Sequence, residues 1–230
     1  MGDEPDPLEL LEASSREPVA RVDFQAQLAA SDRALVRVTR RVASAIEPVT
    51  AAFLGADGHG AATAETVDSE VDSRCRELEE ACYVLLARQS PVGSDLRRIV
   101  AILRATAGVQ RSASLLRHVA ESLQWVHPPA MSEEVRQTIA QLGEVAADIM
   151  GRAADAWERH DGLAAVELER RDDQADLLQK CLLTELYTGR QSVEEAVSLA
   201  LLARYYERIA DHGVEAARQV AYVVTGERVE

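Results

Sequence analysis

The chain has 230 residues, 47% apolar and 28% charged, a balance that allows a packed core and excludes wholesale disorder. Its formal net charge of -14 disfavours nucleic acid and anionic lipid as nonspecific partners over the molecule as a whole, and leaves cations or basic proteins as the complementary ones. Aromatics are only 4%, so a core of Ala, Leu and Val suits close-packed helices better than a sandwich or barrel. No apolar run reaches the ~18 residues of a membrane span.

Residues 1–19 are acidic and proline-bearing and read as a flexible tail, not a signal peptide. A first helix is expected over 22–54, with Gly55, Gly58 and Gly60 punctuating its end. A second is expected over 62–88, on the stripe Val67, Val71, Cys75, Leu78, Cys82 and Leu85. Pro91 and Gly93 then break the chain. Ser94 or Asp95 can cap a third helix running to about 126. His127, Pro128 and Pro129 form the best boundary between two halves, 20–127 and 131–226. Ser132, followed by Glu133 and Glu134, starts a fourth helix that reaches about 160, where Asp161 and Gly162 make a turn. A fifth covers about 163–187 and stops at Gly189. The sixth opens on Ser192, which with Glu195 makes a capping box, and ends before Gly226. Leu202, Tyr206, Ile209, Gly213, Ala216, Val220 and Val223 alternate by four and three, the spacing of a bundle seam.

No strand pattern competes with this all-α reading. The three cysteines, Cys75, Cys82 and Cys181, lack zinc-site spacing and read as buried small hydrophobes in a reducing cytosol. An internal repeat supports two three-helix halves: Asp68, Asp72 and Leu78 recur 104 positions on as Asp172, Asp176 and Leu182. After a shorter loop, Gln110 and Ser114 fall where Glu207 and Asp211 stand.

Chemistry concentrates at these repeated positions. Glu207 and Asp211 sit one turn apart on one helix face, as do Asp172 and Asp176. If the fifth and sixth helices are antiparallel neighbours, four carboxylates converge, and Glu215 extends the row. Such a set suits hard or borderline divalent cations. The alternative is a solvated acidic face balanced by Arg171, Arg204, Arg208 and Arg218. In the first half Asp68 and Asp72 face neutral Gln110 and Ser114, with His118 a turn further on as a possible ligand or as a satisfied surface histidine. Arg97, Arg104 and Arg111, each seven apart, form a basic stripe for an anion or an acidic partner, or else pair within the chain. No phosphate-cradling glycine loop, nucleophile elbow or di-iron Glu-x-x-His pattern is present.

These motifs together resemble the PhoU family. Gln89, Pro91, Asp95, Leu96 and Arg97 fall as its Q-x-P-x-x-x-D-L-R turn, with Ser90 and Pro91 standing for the usual Gln-Pro. Glu207, Arg208, Ile209, Ala210, Asp211 and His212 are similar to its E-R-I-G-D-H signature, with Ala210 for Gly. Tyr222 to Glu227 also match, and the Asp pairs fit its D-x-x-x-D helices. The resemblance spans about 20–226.

It implies two tandem antiparallel three-helix bundles, frequently homodimeric, in the cytoplasm. It implies a non-catalytic regulator linking the phosphate ABC transporter's ATPase subunit to a two-component sensor histidine kinase, reaching the membrane through partners only. It also implies iron, zinc or another divalent metal on the acidic faces. The chain departs from the pattern at Gln110 and Ser114, where both carboxylates of the first half are gone. A metal-storage bundle, or a paralogue with a changed partner, is the alternative.

Overall fold

The computed structural model describes residues 7–57, 59–126, 131–189 and 191–227. Six helices follow one another: α1 (Pro7–Leu54), α2 (His59–Gln89), α3 (Gly93–Glu121), α4 (Glu133–Arg159), α5 (Ala164–Thr188) and α6 (Val193–Thr225), with a 3-10 turn at Ser122–Gln124 after α3. Strands are absent among the described residues.

The helix ends follow local chemistry. Ser132 caps α4, its side chain accepting from Val135 N at 3.2 Å. Ser192 and Glu195 form the expected capping box, and Gly226, at φ 81°, closes α6 in the left-handed conformation that glycine adopts without strain. Three expectations differ. Helix α1 begins at Pro7, 15 residues before position 22, so the backbone is helical through most of the stretch read as a tail. Gly60 lies within α2 instead of punctuating the end of α1. The third helix begins at Gly93 with Val92 at its N-cap and no side-chain cap. Asp95 instead accepts from Gln25 Nε2 of α1 at 3.2 Å, so packing takes the group that sequence assigned to capping. Gly58 and the boundary residues His127 to Pro129 lie outside the described residues.

Helices α1, α2 and α3 pack on one another, as do α4, α5 and α6. Side chains that bond across each pair run in opposite chain order, so neighbours are antiparallel: Asp68 meets Ser114 and Asp72 meets Gln110, while Asp148 meets Arg171 and Arg152 meets Glu167. The α2 stripe is buried along its whole length, and the α6 seam is buried from Leu202 to Val220.

The two halves are not separate bodies. Helix α1 lies against α4 and α3 against α6, and one apolar core runs through both. Buried polar contacts pin the junction. Thr50 Oγ1 donates to Ile46 O at 2.7 Å and shares a hydrogen bond with Tyr206 Oη at 2.6 Å. Arg40 reaches across to Asp155 and Glu158 at 2.7 and 2.6 Å. Cys75 and Cys82 are buried, and burial pushes both thiols up to about 12, which keeps them protonated; Cys181 is exposed, contrary to expectation, because it points off α5 away from the core.

Gly143 marks the tightest crossing of the halves. A Cβ there would lie 2.6 Å from Thr50 Oγ1 and 2.9 Å from its Cγ2. Thr50 is held by two hydrogen bonds and has little room to retreat. Gly143→Ala should therefore lower stability by about 1–3 kcal/mol through overpacking, less the ~1 kcal/mol that Ala gains as a helix former. Urea unfolding measures the net; a raised midpoint would show that the crossing is looser than described.

Candidate functional site

The repeated Asp pairs resolve into two different electrostatic solutions on one scaffold. In the first half Asp68 accepts from Ser114 Oγ and from Arg117 Nε, both at 2.8 Å. Asp72 accepts from Gln110 Nε2 at 2.6 Å and pairs with Arg76 at 2.6 Å. The neutral residues on α3 are thus the hydrogen-bond partners of the acids on α2. His118 does not join them. It bonds Glu121 at 3.0 Å, and its ring lies 5.7 Å from that of Tyr205. Asp68 and Asp72 are satisfied by protein groups, and His118 is turned to another face.

The second half keeps the backbone arrangement and changes the partners. Asp172, Asp176, Glu207 and Asp211 act on one another electrostatically across α5 and α6. Asp172 Oδ1 and Glu207 Oε2 are buried without a hydrogen-bond partner. Burial first, then Asp211, Asp176 and Glu207, push the Asp172 carboxyl up to about 6. Glu207 is 6% exposed and is raised by desolvation and by Asp211, against the pull of Arg204, its single ion-pair partner. Asp211 is raised by desolvation on its protein side, opposed by Arg204; it is exposed on the other side, where water screens these charges. Among the described residues the ion-pair partner of Asp176 is Lys180, 3.7 Å away on its own helix. At the position corresponding to Arg117, α6 carries Val214, so the cation that satisfies Asp68 has no counterpart beside Asp172.

The other expected participants are engaged elsewhere. Arg171 pairs with Asp148 at 3.0 Å and Arg218 with Glu169 at 2.9 Å, so neither balances Asp172. Glu215 accepts from Gln219 at 2.5 Å and stands 3.9 Å from Arg218, outside the coupled set. The stripe on α3 divides. Arg97 is half-buried against Gly226, Arg104 is exposed, and Arg111 lines a groove with Arg204 and Arg208. Arg98, another of the arginines concentrated on α3 but outside the seven-residue stripe, forms a close ion pair with buried Asp32. Asp95, Arg97 and Arg98 therefore serve the join between α1, the start of α3 and the end of α6.

Comparison with known proteins agrees with this architecture. The PhoU domain matches residues 35–123 and 139–220, one match per half. The chain belongs to the PhoU family. It is 34% identical to a Mycobacterium leprae protein described as phosphate-specific transport system accessory protein PhoU homolog 1, over 90% of this chain and 94% of that protein. It is also 34% identical to PhoU homolog 2 of Mycobacterium tuberculosis, over 90% and 98% respectively. The fold matches the crystal structure of a Streptococcus pneumoniae phosphate transport system regulatory protein PhoU with a TM-score of 0.81 at 20% identity, covering 90% of this chain and 99% of that one. The crystal structure of PhoU from Pseudomonas aeruginosa gives 0.81 at 24% identity, covering 89% and 100%.

The two sets of acids differ in how well they suit a cation. Among the described residues, no three His, Cys or carboxylate groups are gathered tightly enough to hold an ion as they stand. The donor set on α5 and α6 nevertheless has the chemistry a cation requires: all-oxygen ligands, mutual repulsion, and two buried oxygens without partners. In the set on α2 and α3 the carboxylate oxygens are instead taken by Ser114, Arg117, Gln110 and Arg76.

Asp172 gives this contrast a pH signature. Its folded value lies above that of an unfolded aspartate, so the folded state holds the extra proton between about pH 4 and about 6. Its favourable contribution is complete below the unfolded value and is lost as pH rises through the folded one. Asp172→Asn should thus raise the melting temperature by a few degrees at pH 7 in chelator, with the gap closing toward pH 4. An Asp172→Asn protein that melts below the parent at pH 7 would mean that the carboxylate is already compensated.

Proposed function

We propose that this protein is a non-catalytic cytoplasmic regulator of phosphate uptake and of phosphate-starvation signalling. It acts as a homodimer that contacts the transporter's ATPase subunit and a sensor histidine kinase, and holds the starvation response off when phosphate is plentiful. Family membership supports the regulatory role, since the curated relatives bear the description of transport accessory proteins. The absence from the described residues of a helix long and apolar enough to cross a membrane is compatible with action through membrane-bound partners.

The observation that carries the site assignment is the pair of buried, partnerless oxygens on Asp172 and Glu207. We assign Asp172, Asp176, Glu207 and Asp211 as the residues that would hold iron, zinc or another divalent metal. The ion would neutralise the row and fix the shape of the α5 and α6 surface offered to partners. Glu215 is a peripheral member of the row. Asp68 and Asp72 are assigned a structural role, because Ser114, Arg117 and Gln110 already satisfy them.

Three measurements test this reading. Affinity capture from cells grown in high phosphate should enrich a transporter ATPase or a histidine kinase, and deletion should release phosphate-starvation genes from control. Elemental analysis of the protein purified without chelator should find metal that Glu207→Gln with Asp211→Asn removes tenfold or more and that Asp72→Asn leaves in place. Stoichiometric iron with oxygen consumption, and no effect of deletion on phosphate control, would instead favour a storage bundle.

A further inference from the structure

The far side of α6 carries the opposite chemistry. Arg111 of α3 and Arg208 of α6 occupy equivalent positions of the two halves, and the antiparallel crossing of these helices sets them at one open groove of about 510 Å³. Arg204, His118, Tyr205 and His212 share its wall with Gln110 and Ser114, whose side chains donate to Asp72 and Asp68, and no carboxylate lines it. Arg111 and Arg208 are exposed, and neither forms an ion pair with a carboxylate among the described residues, although Arg208 acts on Asp211 through space. In a chain with 39 acidic and 25 basic residues, a groove lined by three arginines and no acid is out of keeping with the composition. Like charges held together repel, and an anion between them removes the repulsion.

The groove is built on rigid elements. His212 lies against Gly108 and hydrogen-bonds Ser112 across the helix pair at 3.1 Å. His118 is oriented by Glu121 and stacks obliquely on Tyr205. Guanidinium forks match the paired oxygens of a tetrahedral oxyanion better than a point cation does.

We propose that this groove binds a phosphoryl-type oxyanion through Arg111 and Arg208, with Arg204 at its rim. The same chemistry belongs to free inorganic phosphate and to the phosphate of a nucleotide. The assignment goes beyond the metal reading and rests on different residues, although Arg204, which pairs with Glu207, and Arg208, which acts on Asp211, border the acidic row.

Isothermal titration of the full chain, stripped with chelator and held at constant ionic strength with chloride, tests it with inorganic phosphate and AMP as probes. Saturable binding is expected for phosphate, and Arg111→Gln or Arg208→Gln should each weaken it by roughly tenfold or more. Both positions are exposed, so the variants should fold, and circular dichroism checks this. Asp172→Asn should leave binding unchanged. AMP binding more tightly than phosphate would assign a nucleotide, and equal or weaker binding would assign the free ion. The proposal is overturned if neither probe saturates, if Arg111→Gln binds as the parent does, or if Asp172→Asn abolishes binding.

Discussion

Uncompensated negative charge at the α5 and α6 interface is the constraint on which the functional reading turns. Packing brings two rows of acids together because the seam of α6 and the apolar face of α5 must be buried. Once the helices are antiparallel neighbours, Asp172 lies within electrostatic reach of Asp176, Glu207 and Asp211 whatever the cost. Hydrophobic burial supplies that alignment, since each large apolar side chain removed from water contributes about 1.5–3 kcal/mol. Like-charge pairs at helical spacing oppose it by only a few tenths of a kcal/mol each. The fold can therefore carry a poorly compensated site without losing its shape.

The first half shows what the same backbone does when its charge is settled internally. Ser114 and Gln110 donate to Asp68 and Asp72, and Arg117 supplies the cation. One amide, one hydroxyl and the guanidinium groups of Arg117 and Arg76 replace whatever the second half requires from outside. The two halves share a single core and are joined through Thr50 and Tyr206 at one crossing and Ser112 and His212 at another. Helix α6 is thus common to the acidic row, the inter-half junction and the basic groove. Arg204 is the side chain that touches both charged faces, since it pairs with Glu207 and also lines the groove.

Much of this was legible from residue spacing. The α2 and α6 stripes predicted the buried faces, and Ser192 with Glu195 predicted the helix start, because these signals are local and periodic. The coming together of the four acids followed from the repeat and from short connections. What spacing did not show was partner choice. Arg171 and Arg218 lie near the acids in sequence yet pair with Asp148 and Glu169, because antiparallel packing brings those residues closer. Asp95 looks like a cap and serves instead as an acceptor for Gln25 of α1, a residue 70 positions away. The pairing of Arg98 with Asp32 left no periodic trace. Arg111 and Arg208 could have been matched through the repeat offset, but whether a carboxylate stood nearby needed coordinates.

Carbon-detected NMR of the aspartate and glutamate carboxyl groups, recorded through a pH titration of chelator-stripped protein and again after adding a divalent metal, bears most directly on the central claim. Asp172 should titrate near pH 6 without metal, and its titration should move well to the acid side when metal is added. An Asp172 carboxyl that already titrates as an ordinary aspartate without metal and ignores the added ion would contradict the claim that this interface is built around missing positive charge.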